Sequence, residues 1–165
     1  MADGTAAATF DVRILVIVVG RPRDAALAAA TQEYERRAAH YWPVSVIEVR
    51  EEPAKSRSAD FVRDREGERI LAQVPPGATF VACAEGGKTM SSAAFATWVQ
   101  SARDEARDVA IAIGGAFGLS DAVTKAASMK LSLAPWTLPH ELARVILSEQ
   151  IYRAGTIVRG EPYHK

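Results

Sequence analysis

A chain of 165 residues with 48% hydrophobic and 24% charged side chains has the balance of a globular protein, long enough for one sizeable core and too short for two. Lys plus Arg and Asp plus Glu each number 20, which argues against a whole-molecule polyanion binder while leaving room for a local basic face. The single cysteine, Cys83, excludes a disulfide framework and a thiolate zinc site, and no metal is expected.

Residues 1–11 hold a short alanine run without a basic flank and read as a flexible N-terminal tail, not a signal peptide. No stretch approaches the roughly 18 apolar residues that span a bilayer, so no membrane association and a cytoplasmic location are expected. From residue 12 to 165 the pattern alternates. Residues 13–19 are a near-continuous β-branched run ended by Gly20, as for a strand covered on both faces. Residues 24–41 read as a helix, 44–49 as a second strand and 50–59 as a polar loop. Residues 60–73 follow as a helix with Phe61, Ile70 and Leu71 as its buried contacts. A third strand spans 79–84, a turn 85–88, and a helix capped by Ser91 or Ser92 runs to about residue 103. A fourth strand at 109–113 enters Gly114-Gly115-Ala116-Phe117-Gly118. A short helix after Ser120, a fifth strand near 130–133 and a last helix over about 138–154 complete the chain. Strands alternating with helices predict a single α/β domain, a mostly parallel sheet flanked by helices.

On the last helix Leu142, Ala143, Val145, Ile146, Leu147, Ile151 and Tyr152 surround nearly the whole circumference. Such a helix is buried on more than one side, and a second copy of the chain is the expected cover. The end of the chain is also its electropositive part: Lys125, Lys130, Arg144, Arg153, Arg159 and Lys165 stand against Glu141, Glu149 and Glu161. An anionic partner is expected there.

Two stretches suggest a ligand site. The first strand lacks the Gly-x-Gly-x-x-Gly turn of a dinucleotide fold. Gly114, Gly115 and Gly118 lie instead beyond the fourth strand, at the edge where parallel sheets bind ligands, with bare N–H groups on offer. A tight turn into a helix would use the same glycines. The stiff loop Ala134-Pro135-Trp136-Thr137-Leu138-Pro139 could present backbone groups to an adenine ring, with Thr137 a candidate helix cap. Beyond it, His140 and Arg144 share a helix face at i, i+4. Arg153 and the ending Tyr163-His164-Lys165 suit RNA, by phosphate contact and base stacking.

Together these pieces resemble the small bacterial methyltransferases that modify N3 of a pseudouridine in 23S ribosomal RNA, members of the SPOUT superfamily. The resemblance is carried by Arg65-Glu66-Gly67-Glu68-Arg69-Ile70-Leu71, residues 113–119, Leu131-Ser132-Leu133, Thr137-Leu138-Pro139-His140, Arg144-Val145, Glu149-Gln150, Tyr152-Arg153-Ala154 and residues 159–165. It covers nearly the whole chain beyond the tail and implies a C-terminal trefoil knot. It also implies an S-adenosylmethionine site made from Cys83 and Ala84, the glycine loop (Gly114, Gly115, Gly118) and residues 134–139. A homodimer and a substrate within the assembled ribosome follow from it as well, the target base entering near the partner's tail. For catalysis, His164 or His140 is the expected base, with Arg153 or Arg144 stabilising the developing anion and Tyr163 positioning. Where many relatives carry Pro-Glu, this chain has Ala116-Phe117. The alternatives are a SPOUT enzyme acting on another RNA, such as transfer RNA, or a non-catalytic RNA- or ribosome-binding module.

Overall fold

The structure, a computed structural model, describes residues 12–164, with His164 described by its backbone alone. The expected tail over residues 1–11, Lys165 and the His164 side chain lie outside the described residues. Strand β1 (Ile14–Val19) is buried along its whole length, as a β-branched run with both faces covered should be. Helix α1 (Ala25–Ala38) begins where Asp24 accepts the N–H of Leu27 at 2.9 Å. Strand β2 (Val44–Val49) precedes α2 (Ala59–Leu71), capped by Ser58. Next come β3 (Thr79–Lys88), α3 (Ser92–Asp104) capped by Ser91, and β4 (Val109–Ile113). Helix α4 (Asp121–Ala126) is capped by Ser120, and β5 (Met129–Leu131), α5 (His140–Val158) and a 3-10 turn (Pro162–His164) end the described chain.

The five strands form one parallel sheet in the order β2-β1-β4-β3-β5. The period-2 alternation of β1 divides the core. Ile14, Val16 and Val18 join Phe95 and Val99 of α3 and Leu147 and Ile151 of α5 on one face. Leu15, Ile17 and Val19 join Ile70 of α2 and Val123 of α4 on the other. Helix α5 lies on the first face between α1 and α3. The Trp42 indole donates to the Ile151 carbonyl at 3.0 Å in that interior.

Three local expectations need correction. Residues 85–88 are not a turn. Strand β3 continues through them, because Gly86, at φ +69°, and Gly87 form an irregularity in which Cys83 and Lys88 both oppose Leu131. A Cβ on Gly87 would sit 2.8 Å from the Lys130 carbonyl, so the strand can close on β5 only without one. Thr137 does not cap the last helix. Pro139 holds that position, no side chain caps it, and α5 runs on to Val158. On α2 the buried residues are Val62, Glu66, Gly67 and Ile70, while Phe61 and Leu71 are half-buried.

Candidate functional site

Parallel strands end at one edge of a sheet, and the turns that follow them share that edge. There the end of β3, the β4–α4 loop and the β5–α5 loop enclose a cleft of about 830 Å³. Three segments far apart in sequence therefore meet in one place. Cys83 and Ala84 form one wall, Gly114, Gly115 and Gly118 with Ala116 and Phe117 a second, and Ala134, Trp136, Thr137, Leu138 and Pro139 a third. Pro135, exposed beside Trp136, is not among the lining residues.

The glycine loop is tight for identifiable reasons. A Cβ on Gly114 would fall 2.5 Å from the carbonyl carbon of Gly118 and 2.8 Å from the nitrogen of Leu119. Gly118 takes φ +81°, a left-handed conformation, and donates its N–H to the Gly115 carbonyl at 3.0 Å. Burial pushes the Cys83 thiol up to about 12, so it serves as a neutral part of the wall and not as a nucleophile. Two large apolar side chains stand at the cleft in contact with solvent, Trp136 at 78% and Phe117 at 42% exposure.

His140, the first residue of α5, also lines the cleft. Its neighbour Glu141 accepts the backbone N–H groups of Arg23 at 3.0 Å and Asp24 at 3.2 Å. Those two bonds hold the Glu141 carboxyl below its ordinary range and pin the start of α5 to the turn after β1.

The remaining candidate residues lie elsewhere. Arg144 is buried, its Nε bonded to Glu35 at 3.0 Å and its Nη1 to Glu48 at 2.9 Å. It belongs to a smaller crevice beside Gly20 and Gly114, and its guanidinium is taken up by the two carboxylates. Arg153 is paired with Glu149 at 2.6 Å, and its guanidinium lies 4.9 Å from the Tyr163 ring centroid. The Tyr163 hydroxyl donates to the same Glu149 carboxylate at 3.0 Å, and its ring packs 4.6 Å from that of Tyr152. Burial and the bonds to Tyr34 and Glu149 raise the Tyr163 hydroxyl above its ordinary range. At 1.5 Å per residue, Arg153 is about 20 Å along α5 from His140. Of the residues expected for catalysis, His140 thus stands at the cleft end of α5, and Arg153 and Tyr163 lie toward the other.

Sequence reasoning missed Glu66. Its carboxyl is 2% exposed, accepts the Glu52 N–H at 3.1 Å, and stands behind Gly115. Burial is the main cause of its raised pKa. The available signal was Gly67 next to it. A glycine inside a helix marks close packing, and here a Cβ would strike the Ser120 hydroxyl at the start of α4. Among the described residues, no group of three or more His, Cys, Asp or Glu side chains is gathered to hold a metal. No described helix is long and apolar enough to cross a membrane.

The parallel sheet with its ligand-sized cleft at the carboxyl edge agrees with the comparison to known families. The family model described as "Predicted SPOUT methyltransferase" matches residues 12–164. Among curated proteins, the ribosomal RNA large subunit methyltransferase H of Gemmatimonas aurantiaca is 61% identical over 153 residues, covering 93% of this chain and 99% of that protein. Proteins of the same name from an Anaeromyxobacter species and from Syntrophotalea carbinolica are 44% and 39% identical, covering 93% and 92% of this chain and 99% and 98% of theirs. The chain belongs to the SPOUT methyltransferases and, within them, to the ribosomal RNA large subunit methyltransferase H family.

Proposed function

We propose that the protein transfers a methyl group from S-adenosylmethionine to N3 of a pseudouridine in 23S ribosomal RNA, acting in the cytoplasm on the assembled ribosome. The observation that carries this reading is the convergence of residues 83–84, 114–118 and 131–140 on one cleft. The residues fit such a cofactor. A cleft of about 830 Å³ is within the size range of cofactor sites, and Gly114, Gly115 and Gly118 line it with backbone and no side chain. The names of the related proteins support ribosomal RNA as the substrate.

S-adenosylmethionine supplies an electrophilic methyl group when bound, so the chain's task is to orient, exclude water and move one proton. Leu138 and Pro139 on one wall and Gly115 on the other would hold the cofactor. N3 of pseudouridine is an imide nitrogen whose proton must leave as the new bond forms. His164 takes that proton, with His140 in the cleft as the second candidate. Arg153 stabilises the developing imide anion. Arg144 is held by two carboxylates with its side chain 9% exposed, and Arg153 by one with its side chain 28% exposed, which favours Arg153 for this role. Tyr163 positions the base.

The assembly is a homodimer in which the tail of one protomer serves the cleft of the other. The separation of about 20 Å between His140 and Arg153 supports it, as do Leu142, Val145 and Ile146, which the sheet and neighbouring helices leave half-buried. In the same reading the C-terminal segment forms the family's knot.

Calorimetry with S-adenosylmethionine tests the cleft, and mass spectrometry of ribosomal RNA from a deletion strain tests the substrate. Binding in the micromolar range and a missing methyl on pseudouridine are expected. An intact ribosomal modification with a lost transfer-RNA methyl would overturn the substrate assignment. His164→Ala should bind cofactor and be inactive; wild-type rates would remove His164 as the base.

A further inference from the structure

Behind the glycine loop stands half a carboxyl group without a partner. Oε1 of Glu66 accepts the Glu52 N–H at 3.1 Å, whereas Oε2 is buried with no hydrogen-bond partner among the described residues. It presses on Gly115, where an added Cβ would lie 2.9 Å away. Gly115 lines the cleft, so the carboxyl backs on a cleft residue that has no side chain to screen it. A buried oxygen left unpaired is costly and calls for a reason.

The surrounding charges supply no partner. Glu51, from the loop before α2, repels the carboxylate, while Arg69 on α2 and His140 on α5 attract it from a distance without bonding to it. Arg69 is itself bonded to Glu52 and to the Arg50 carbonyl. Strand β1 and the glycine loop face Gly115 and the carboxyl with Val19 and bare backbone.

We propose that Glu66 is the counter-charge for a cationic methyl donor, a specificity-determining residue that favours S-adenosylmethionine over its neutral product. This rests on the reading of the cleft as the S-adenosylmethionine site. Methyl transfer breaks the sulfur–methyl bond and leaves its electron pair on sulfur, turning a sulfonium into an uncharged thioether. A carboxylate acting through a low-dielectric wall attracts the first and not the second. Glu66 thereby strengthens donor binding and favours product release, and it does not speed the chemical step, since the sulfonium charge it stabilises is already fading in the transition state. In the ligand-free protein burial raises the carboxyl above its ordinary range. A bound cation favours its ionised form, so donor affinity climbs with pH as the carboxyl ionises while product affinity does not.

The test is calorimetry of the full chain and of Glu66→Gln with S-adenosylmethionine and S-adenosylhomocysteine, from about pH 5 to pH 9. The variant should lose about tenfold in affinity for the sulfonium ligand, one pKa unit's worth of interaction, with the thioether ligand unchanged. The wild-type ratio of the two affinities should rise with pH more steeply than the variant's. Equal losses for both ligands would reduce Glu66 to a prop for Gly115 and overturn the proposal, as would a full wild-type slope in the variant. A flat ratio in the wild type, a measurement independent of how the variant folds, overturns it while leaving the cleft reading intact. Failure of the wild type to bind either ligand removes the cleft reading and this proposal with it.

Discussion

Replacing Gly114 with alanine probes a place where the cleft's geometry depends on a missing side chain. The new Cβ would lie 2.5 Å from the Gly118 carbonyl carbon, 2.7 Å from its oxygen and 2.8 Å from the Leu119 nitrogen. Ordinary carbon contacts are about 3.5–4.0 Å, so the loop must move by roughly 1 Å. All three atoms are backbone and cannot rotate aside. Overpacking of this kind costs about 1–3 kcal/mol, and a 1 Å displacement of a positioning element can cost about a hundredfold in rate. Gly118→Ala is the control. Its Cβ meets open space, and only φ +81° opposes it, at about 1–2 kcal/mol. Urea unfolding should place Gly114→Ala about 2 kcal/mol below the wild type, and calorimetry should show S-adenosylmethionine affinity reduced at least about tenfold, further than in Gly118→Ala. Wild-type affinity and stability in Gly114→Ala would refute the account of the loop.

Arg144→Ala should cost about 3 kcal/mol in urea unfolding by stranding Glu35 and leaving Glu48 only its pair with Arg21; a stable variant with impaired catalysis would return Arg144 to the reaction. Trp136→Ala, at a position 78% exposed, should change stability by less than about 0.5 kcal/mol while lowering methylation of the ribosome, and an unchanged rate would show that this ring contacts neither cofactor nor base. The hydrogen bond to Glu161, with burial, raises the Tyr41 hydroxyl from 10.0 to about 12. Because the folded value lies above the unfolded one, its stabilising contribution is complete below about pH 10 and is lost as pH rises through about 12. Thermal melts of Tyr41→Phe should lack that alkaline component, and matching wild-type and variant profiles would refute the link.

The legible parts of this protein are those in which one local rule decides. The β-branched run of β1 can only be a doubly covered strand. The N-cap at Ser91 follows from a side-chain oxygen placed before a helical pattern. The two candidate cofactor loops were visible because glycine and proline restrict the backbone before any tertiary contact forms. What stayed hidden depends on neighbours distant in sequence. Gly86 and Gly87 carry the signal of a turn, and become a strand irregularity only because β5 offers its backbone at Lys130 and Leu131. Arg144 shares a helix face with His140, yet Glu35 on α1 and Glu48 on β2 take its guanidinium. Glu66 belongs to a charged helical stretch that reads as surface until α4 and the glycine loop close over it.

Helix α5 explains why one apolar pattern serves two purposes. Its first turn is fixed by Glu141 to the turn after β1 and brings His140 to the cleft. Its midpoint carries Glu149, which binds both Arg153 and Tyr163 and so fixes the tail against the second half of the helix. The buried stripe through Ala143, Leu147, Ile151 and Ala154 sets the helix on the sheet, and a rigid rod about 28 Å long keeps its two ends apart. A chain that must bring a tail base and a cleft-bound donor together across that distance can melt the helix or supply the tail from a second copy. Melting would break the Trp42 bond to Ile151 and expose the core it closes. Pairing instead covers Leu142, Val145 and Ile146 and costs the core nothing. Sedimentation velocity at micromolar concentration should therefore show a dimer, and full activity from a strictly monomeric species would refute that assignment of the tail.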